Sequence, residues 1–340
     1  MNIREAIEAI VNQGRDLSEE EAAAVMEEIM AGEATPAQLG AFLVSVRLKG
    51  ETVDEITGMA RVMRQHALRV PIEGVSLLDT CGTGGDGQGT FNVSTAAAFV
   101  VAAAGARVAK HGNRAVTSAC GSADVLEALG ARIELTPAQV ARCIDEVGLG
   151  FMFAPAFHPA MKHAAGPRRE IGVRTVFNVL GPLTNPAGAS AQLLGVARAE
   201  LGAKMAAVLA RLGCQHALVV HGQDGLDEMS LSGPTSVHEL RQGEVREYVV
   251  SPPELGLAEA PLDAVRGGSA EENAARLRAV LDGEPGPARD IVLLNSAAAL
   301  VAADLAADLW EGVRLAQSAI DSGAAREKLV RFVELTRSFE

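Results

Sequence analysis

The sequence predicts an α/β protein in which a small helical domain precedes a larger domain built on a central, mostly parallel sheet. Three observations predict it. The first seventy residues carry apolar residues at helical spacing behind repeated helix-start signals. From Val75 onward, short apolar runs alternate with helical stretches, as in successive strand–helix–strand units. The first of those strands runs into a glycine-rich stretch, Cys81-Gly82-Thr83-Gly84-Gly85-Asp86-Gly87-Gln88-Gly89-Thr90, that opens a helix.

In the helical part, Ser18…Glu21, Thr35…Gln38 (with Pro36 behind the cap) and Thr52…Glu55 fit the capping box. Ile7/Ile10/Val11, Leu39/Phe42/Leu43/Val46 and Ile56/Met59/Met63 recur at helical spacing, which suits a small bundle over residues 1–70. Part of 160–188 is expected to join it, leaving 71–340 as the α/β domain. Strands are expected near 75–79, 107–110, 131–135 and 151–154. Helices are expected over 123–129 and, behind Thr136, over 137–147.

Residues 158–186 interrupt this rhythm. His158-Pro159 is expected to end a strand and 161–165 to form a short helix. Pro167 is expected to open a further helix with Arg168 and Arg169 in its first turn, against the helix dipole. The turn-rich passage 178–185 then crosses back toward the sheet. Strands resume at 192–196 and 217–220, separated by a helix reaching Leu212, and a hairpin over 235–250 turns at Gln242-Gly243. Ser251…Glu254 and Ser269…Glu272 again read as caps, and the last seventy residues as alanine- and leucine-rich helices.

The chemistry lies in the loops after the strands. Glycines let backbone N–H groups approach a phosphate, and a helix N-terminus favours negative charge. Asn92, Ser94 and Thr95 stand where the helix begins, so one can cap it while other hydroxyls face a ligand. A glycine cluster alone equally suits a tight turn with an ordinary cap. What singles this one out is a second polar cluster one strand later, Lys110-His111-Gly112-Asn113-Arg114 with Thr117-Ser118 and Gly121-Ser122. Open parallel sheets bind ligands beyond the carboxyl ends of their strands, so both clusters should serve one phosphate-rich site. Asp227-Glu228, on a loop after another strand, suits magnesium, a hard cation that takes oxygen ligands.

Composition narrows the partners. A formal charge of −13 argues against nucleic acid, whose phosphate backbone calls for a basic face, and leaves a small anionic substrate in a local basic pocket. Cys81, Cys120, Cys143 and Cys214 have neither metal-like spacing nor disulfide density. The opening Met1-Asn2-Ile3-Arg4-Glu5-Ala6 reads as an acidic amphipathic helix rather than a signal sequence, and no apolar run approaches the roughly 20 residues of a membrane span. A cytoplasmic protein with neither nucleic-acid nor membrane partners is expected.

Taken together, these residues resemble the anthranilate phosphoribosyltransferase family. The likeness rests on Gly82 to Gly87 with Thr90-Phe91-Asn92-Val93-Ser94-Thr95, on Lys110 to Arg114 leading into Gly121-Ser122-Ala123-Asp124-Val125-Leu126-Glu127, on Arg168-Arg169-Glu170, on Phe177-Asn178 to Gly181-Pro182-Leu183, and on Asp227-Glu228-Met229. It covers nearly the whole chain in order. It implies the fold of the nucleoside phosphorylases and these phosphoribosyltransferases, usually as a homodimer. It also implies transfer of the phosphoribosyl group of phosphoribosyl pyrophosphate (PRPP) to the amine of anthranilate, in tryptophan biosynthesis, with two magnesium ions per monomer. By resemblance, Gly82, Gly85, Asp86, Thr90, Asn92, Val93, Ser94 and Thr95 cradle PRPP. Lys110, His111, Gly112, Asn113, Arg114, Ala115, Val116, Thr117, Ser118 and Ser122 complete that site. Gly82, Asn113 and Arg168 match the anthranilate contacts, and Ser94, Asp227 and Glu228 the magnesium contacts.

The residues agree with such roles without requiring a general base. An arylamine is neutral at pH 7, and His111, a candidate acid or base by type, reads as a positioning residue. A pyrimidine nucleoside phosphorylase is disfavoured by the Asp227-Glu228 pair and a nucleic-acid-binding relative by the net charge. A nicotinamide-dependent dehydrogenase is disfavoured because Lys110 stands where an acid would follow the next strand.

Overall fold

The computed structural model describes residues 1–115 and 119–339. Four helices open the chain: Ile3–Gln13, Glu19–Ala31, Pro36–Lys49 and Val53–Gln65. Asn2, Ser18, Thr35 and Thr52 each accept from the backbone three residues on, and the acid or amide there answers the cap's own N–H. Each box satisfies donors that a helix end would leave orphaned, worth about 1 kcal/mol per cap.

Seven strands form one sheet: β1 Leu78–Gly82, β2 Val108–Gly112, β3 Leu149–Phe153, β4 Ala191–Gly195, β5 His216–Gly222, β6 Thr235–Arg241 and β7 Glu244–Val250. Their order is β3-β2-β1-β4-β5-β6-β7, parallel from β3 through β5 and antiparallel over the last two pairings. The order reverses between β1 and β4, so the glycine-rich loop leaves β1 at the switch point of the sheet, where such sheets bind ligands.

The alternation of side chains along β4 and β5 divides the interior. Leu193, Leu218 and Val220 face the layer of Val93–Ala103, Pro287–Ala302 and the C-terminal helices. Leu194, Ala217 and Val219 face Leu201–Arg211 and share one buried cluster with the N-terminal helices.

Four expectations are corrected. Residues 131–135 form no strand. Ala131, Ile133 and Leu135 are buried as the alternation implies, but β3 occupies the edge beside β2. The segment is an extended connector on the C-terminal helix, with the Arg132 amide donating to Thr336 Oγ1 at 3.2 Å. Alternation reports burial, not pairing. Pro167 opens no helix: it lies inside Lys162–Ile171, placing Arg168 and Arg169 in the last turn, where they complement the dipole. His158-Pro159 ends no strand, because β3 stops at Phe153 and the helical turn Ala154–Phe157 intervenes. Asn92 holds the N-cap position of Val93–Ala103, but its side chain makes no cap bond. It donates instead to the Cys120 carbonyl at 3.2 Å and accepts from Asn273 at 3.0 Å.

Candidate active site

The loop after β1 is built to be approached closely. The Thr83 amide donates to the Gly195 carbonyl at 2.9 Å, and Thr83 Oγ1 accepts from the Ala197 amide at 3.2 Å, rooting the loop on β4. Gly85 has φ +72°, a conformation that favours glycine, and a Cβ there would run into the Arg174 guanidinium. A Cβ on Gly82 would strike the Asp227 carboxylate. Ser94 and Thr95 stand in the first turn of Val93–Ala103, and the fully buried Thr95 Oγ1 has no hydrogen-bond partner among the described residues. An orphaned hydroxyl at a helix N-terminus is a place for a ligand oxygen.

Three carboxylates meet at the same end of the sheet. Asp227 accepts from the Gly84 amide at 2.7 Å, and Glu228 lies beside Ser94, whose backbone and hydroxyl favour its charged form. Burial, then the charges of Asp86 and Glu228, push the Asp227 carboxyl well above its ordinary range. Burial raises Glu228 to about 7 against the pull of Lys110. Such crowding favours a cation. Among the described residues, no three His, Cys, Asp or Glu side chains form a metal cage by themselves. That donor set suits magnesium, which keeps waters and takes its remaining ligands from substrate phosphates.

Beneath the loop, Lys110 is almost fully buried, its ammonium donating to the Thr80 carbonyl at 2.5 Å and Ser94 Oγ at 3.2 Å. Burial lowers its pKa, and Asp79 opposes that shift. Asp79 accepts from Asn185 at 2.7 Å and from the His111 amide at 3.2 Å. Burial raises its carboxyl.

A cavity of about 510 Å³ opens between this loop and the helix bearing Arg168, with Gly82, Asn113, His158, Arg168, Phe177 and Asn178 among its walls. The Arg168 guanidinium lies over the Phe177 ring at 4.7 Å, and no carboxylate pairs with it among the described residues. Burial lowers its pKa, so an anion brought beside it would be welcome. His111 and His158 line the same cavity with ring centres 5.0 Å apart, and neither Nε2 has a partner among the described residues. Burial lowers His111 to about 3 and His158 to about 4, so both are neutral at pH 7.

Residues 74–326 match the glycosyl transferase family a/b domain, and residues 4–67 match that family's helical bundle domain. The chain is 59% identical over 338 residues to the anthranilate phosphoribosyltransferase of Thioalkalivibrio sulfidiphilus, covering 99% of this chain and 100% of the relative. Among solved structures it is similar to the anthranilate phosphoribosyltransferase of Thermus thermophilus, with a TM-score of 0.93, 50% identity and 99% of each chain covered. It is also similar to the Saccharomyces cerevisiae enzyme in complex with PRPP and Mg, with a TM-score of 0.91, 29% identity, and 99% and 98% of the two chains covered. The chain belongs to the anthranilate phosphoribosyltransferase family.

As a member of the anthranilate phosphoribosyltransferase family, the chain brings Gly82, His111, Gly112, Asn113 and Arg168 to one cavity and sets Asp86, Ser94, Asp227 and Glu228 at its loop end. Other residues named from sequence have other neighbours. Lys110 lies under the loop, not in the cavity wall. Arg114 is turned outward, where it pairs with Asp124 and Glu127. The Ala115 amide donates to Asp124 at 3.0 Å, Ser122 Oγ to the Asn113 carbonyl at 3.3 Å, and Thr90 bridges to Arg266. Val93 is buried in the helix's first turn. Val116, Thr117 and Ser118 lie outside the described residues. Sequence reasoning gave His158 and Asn178 no role: His158 stood in a His-Pro step, and Asn178 in a turn and in the Phe177-Asn178 motif of the family resemblance. Asn295, which holds the acidic loop from a helix read as featureless, gave no signal.

Proposed function

We propose that this chain binds PRPP along the glycine-rich loop and anthranilate in the adjoining cavity, and transfers the phosphoribosyl group to the anthranilate amine with release of pyrophosphate. One observation carries the residue assignment: the half-buried guanidinium of Arg168, which pairs with no carboxylate among the described residues, faces the same cavity as Gly82 and Asn113, whose loops carry the anion-binding groups. An arene with a carboxylate fits there, its carboxylate on Arg168 and its ring among Phe177 and the apolar walls.

The loop amides and the first turn of Val93–Ala103 hold the diphosphate. Asp227 and Glu228 would hold magnesium with Ser94, and bound magnesium supplies charge neutralisation for the departing pyrophosphate. Positive character then develops at the ribose anomeric carbon. Arg168 and the cavity walls hold the amine beside it, so positioning supplies much of the rate. Neutral His111 and His158 form part of the cavity wall, with their Nε2 atoms buried in it, and add no positive charge beside the substrates. Two ions per monomer would suit a diphosphate flanked by Asp86, Asp227 and Glu228.

A division at residues 70 and 71, with part of 160–188 joining the helical unit, is supported by Ala164, Val176 and Phe177 sharing the helices' buried cluster. A homodimer is supported by the apolar Val11, Val44 and Leu48 left exposed on the first and third helices. A cytoplasmic setting is supported by four free cysteines, and no helix among the described residues is long and apolar enough to cross a membrane.

The decay of anthranilate fluorescence tests the reaction. Decay that requires enzyme, PRPP and magnesium together is the expected result. Persistent fluorescence, with turnover of uridine and inorganic phosphate instead, would overturn it.

A further inference from the structure

The connector from Gly172 to Val176 joins the helix that carries Arg168 to the turn that carries Phe177 and Asn178. It is pinned at its far end, where the Thr175 amide donates to Asn178 Oδ1 and the Asn178 amide to the Thr175 carbonyl, both at 2.9 Å. Midway stands Arg174. Its Nη2 donates to the Thr83 carbonyl at 3.2 Å, and its guanidinium fills the space above Gly85 that a Cβ would occupy.

Arg174 makes no ion pair among the described residues. Burial, Arg198 and Arg47 all disfavour its charge, while Asp227 and Asp86 support it. Its one described hydrogen bond goes to a neutral carbonyl of the loop. A long cation has thus been placed on the outer side of the glycine-rich loop, where its shape and donors serve the loop's backbone. Thr83 and Asn178 both line the main cavity and also a second cavity of about 100 Å³ behind the loop, whose walls include Arg47, Arg174 and Arg198. They form the partition between the two.

We propose that Arg174 is a positioning residue that couples the two substrate subsites. It clamps the glycine-rich loop from behind in the form that receives diphosphate, and it stands on the connector that orients Arg168, Phe177 and Asn178. Ordering the loop with a diphosphate therefore steadies the anthranilate pocket. By linkage, anthranilate strengthens diphosphate binding by the same factor. This rests on the reading of the site as a PRPP and anthranilate site.

The test uses magnesium pyrophosphate, which fills the diphosphate subsite without transferring anything to the amine. Anthranilate dissociation constants are measured by calorimetry with and without saturating magnesium pyrophosphate, and the reciprocal titration is run. The wild type should show a coupling factor of about fivefold or more. Arg174→Ala should bring that factor to near one and weaken pyrophosphate about tenfold, the cost of losing one charged donor, while leaving anthranilate alone within about twofold. Arg174→Lys keeps the charge and one donor but not the planar fork, and should recover part of the pyrophosphate affinity. A purely structural role would weaken both ligands alike and lower the melting temperature in both variants. That outcome, or a coupling factor unchanged in Arg174→Ala, overturns the inference while wild-type turnover of anthranilate keeps the functional reading. Failure of the wild type to bind or consume anthranilate overturns that reading and the coupling with it.

Discussion

Asn295 binds both backbone polar groups of Met229. Its Oδ1 accepts from the Met229 amide at 2.9 Å, and its Nδ2 donates to the Met229 carbonyl at 3.0 Å. Asn295 is fully buried in the helix Pro287–Ala302, and Met229 follows directly on Asp227 and Glu228. A core helix therefore fixes the register of the acidic loop against the glycine-rich loop.

Replacing Asn295 with leucine keeps the volume but strands a buried N–H and C=O. A loss of about 2 kcal/mol in unfolding free energy is expected, within the range for an unsatisfied buried pair, and urea titration measures it. The magnesium concentration for half-maximal turnover should rise as well. An unchanged magnesium requirement would mean that the acidic loop holds its shape without Asn295.

Arg168→Ala should cost anthranilate affinity by roughly one to two powers of ten, the scale of a charge-assisted hydrogen bond to a carboxylate. PRPP affinity should stay within about threefold of the wild type, because Arg168 lies at the cavity's other end. Calorimetry with each ligand separately checks this, and equal weakening of both would contradict the assignment. The variant also removes the stacking over Phe177. Arg168→Lys, which keeps the charge alone, separates the two contributions.

Asp227→Asn combined with Glu228→Gln should abolish magnesium-dependent turnover while the fold survives. In the folded protein burial and the charges of Asp86 and Glu228 raise the proton affinity of Asp227, and burial and Asp86 raise that of Glu228, so neutral amides relieve repulsion. A melting temperature at or above that of the wild type is expected alongside the lost activity. Activity that still follows a magnesium titration would remove these residues from the metal role.

His111 and His158 give stability a pH dependence of known sign. Their ordinary value is 6.5, and burial lowers them to about 3 and about 4 in the folded protein. As pH falls below 6.5 the unfolded chain takes up protons that the folded chain refuses, so stability declines until the folded values are reached. Each histidine contributes about 1.4 kcal/mol per pH unit within that window. Urea midpoints measured from neutral pH downward should fall, and His158→Gln should flatten the slope. A variant with the wild-type slope would show that His158 titrates normally.

Much of the chain was legible because local rules and global fold agree. The caps at Ser18, Thr35, Thr52, Thr136 and Ser269 stand where the sequence placed them, because a capping box is satisfied within four residues. The hairpin turning at Gln242-Gly243 is equally local, with both residues at positive φ. Residues 131–135 misled because alternating burial looks the same in a strand and in an extended connector. Pro167 misled because proline's preference for a helix start is statistical, and here a helix continues through it.

By itself the sequence determined the helical part followed by strand–helix units, apart from residues 131–135 and 158–171, the glycine loop at the end of a strand, and the residue types able to bind phosphate, magnesium and a carboxylate. Periodicity, caps and glycine runs act over a few residues, so the chain's linear order carries them. Only the tertiary structure decided that Arg168 faces Gly82 and Asn113 across one cavity and that Lys110 supports the loop from below. It alone set Arg174 on the back of Gly85 and Asn295 on Met229. Such contacts join residues from 30 to 91 positions apart. They depend on packing angles and on the burial of charge, which arise only when the sheet has closed and water has left the spaces between its layers.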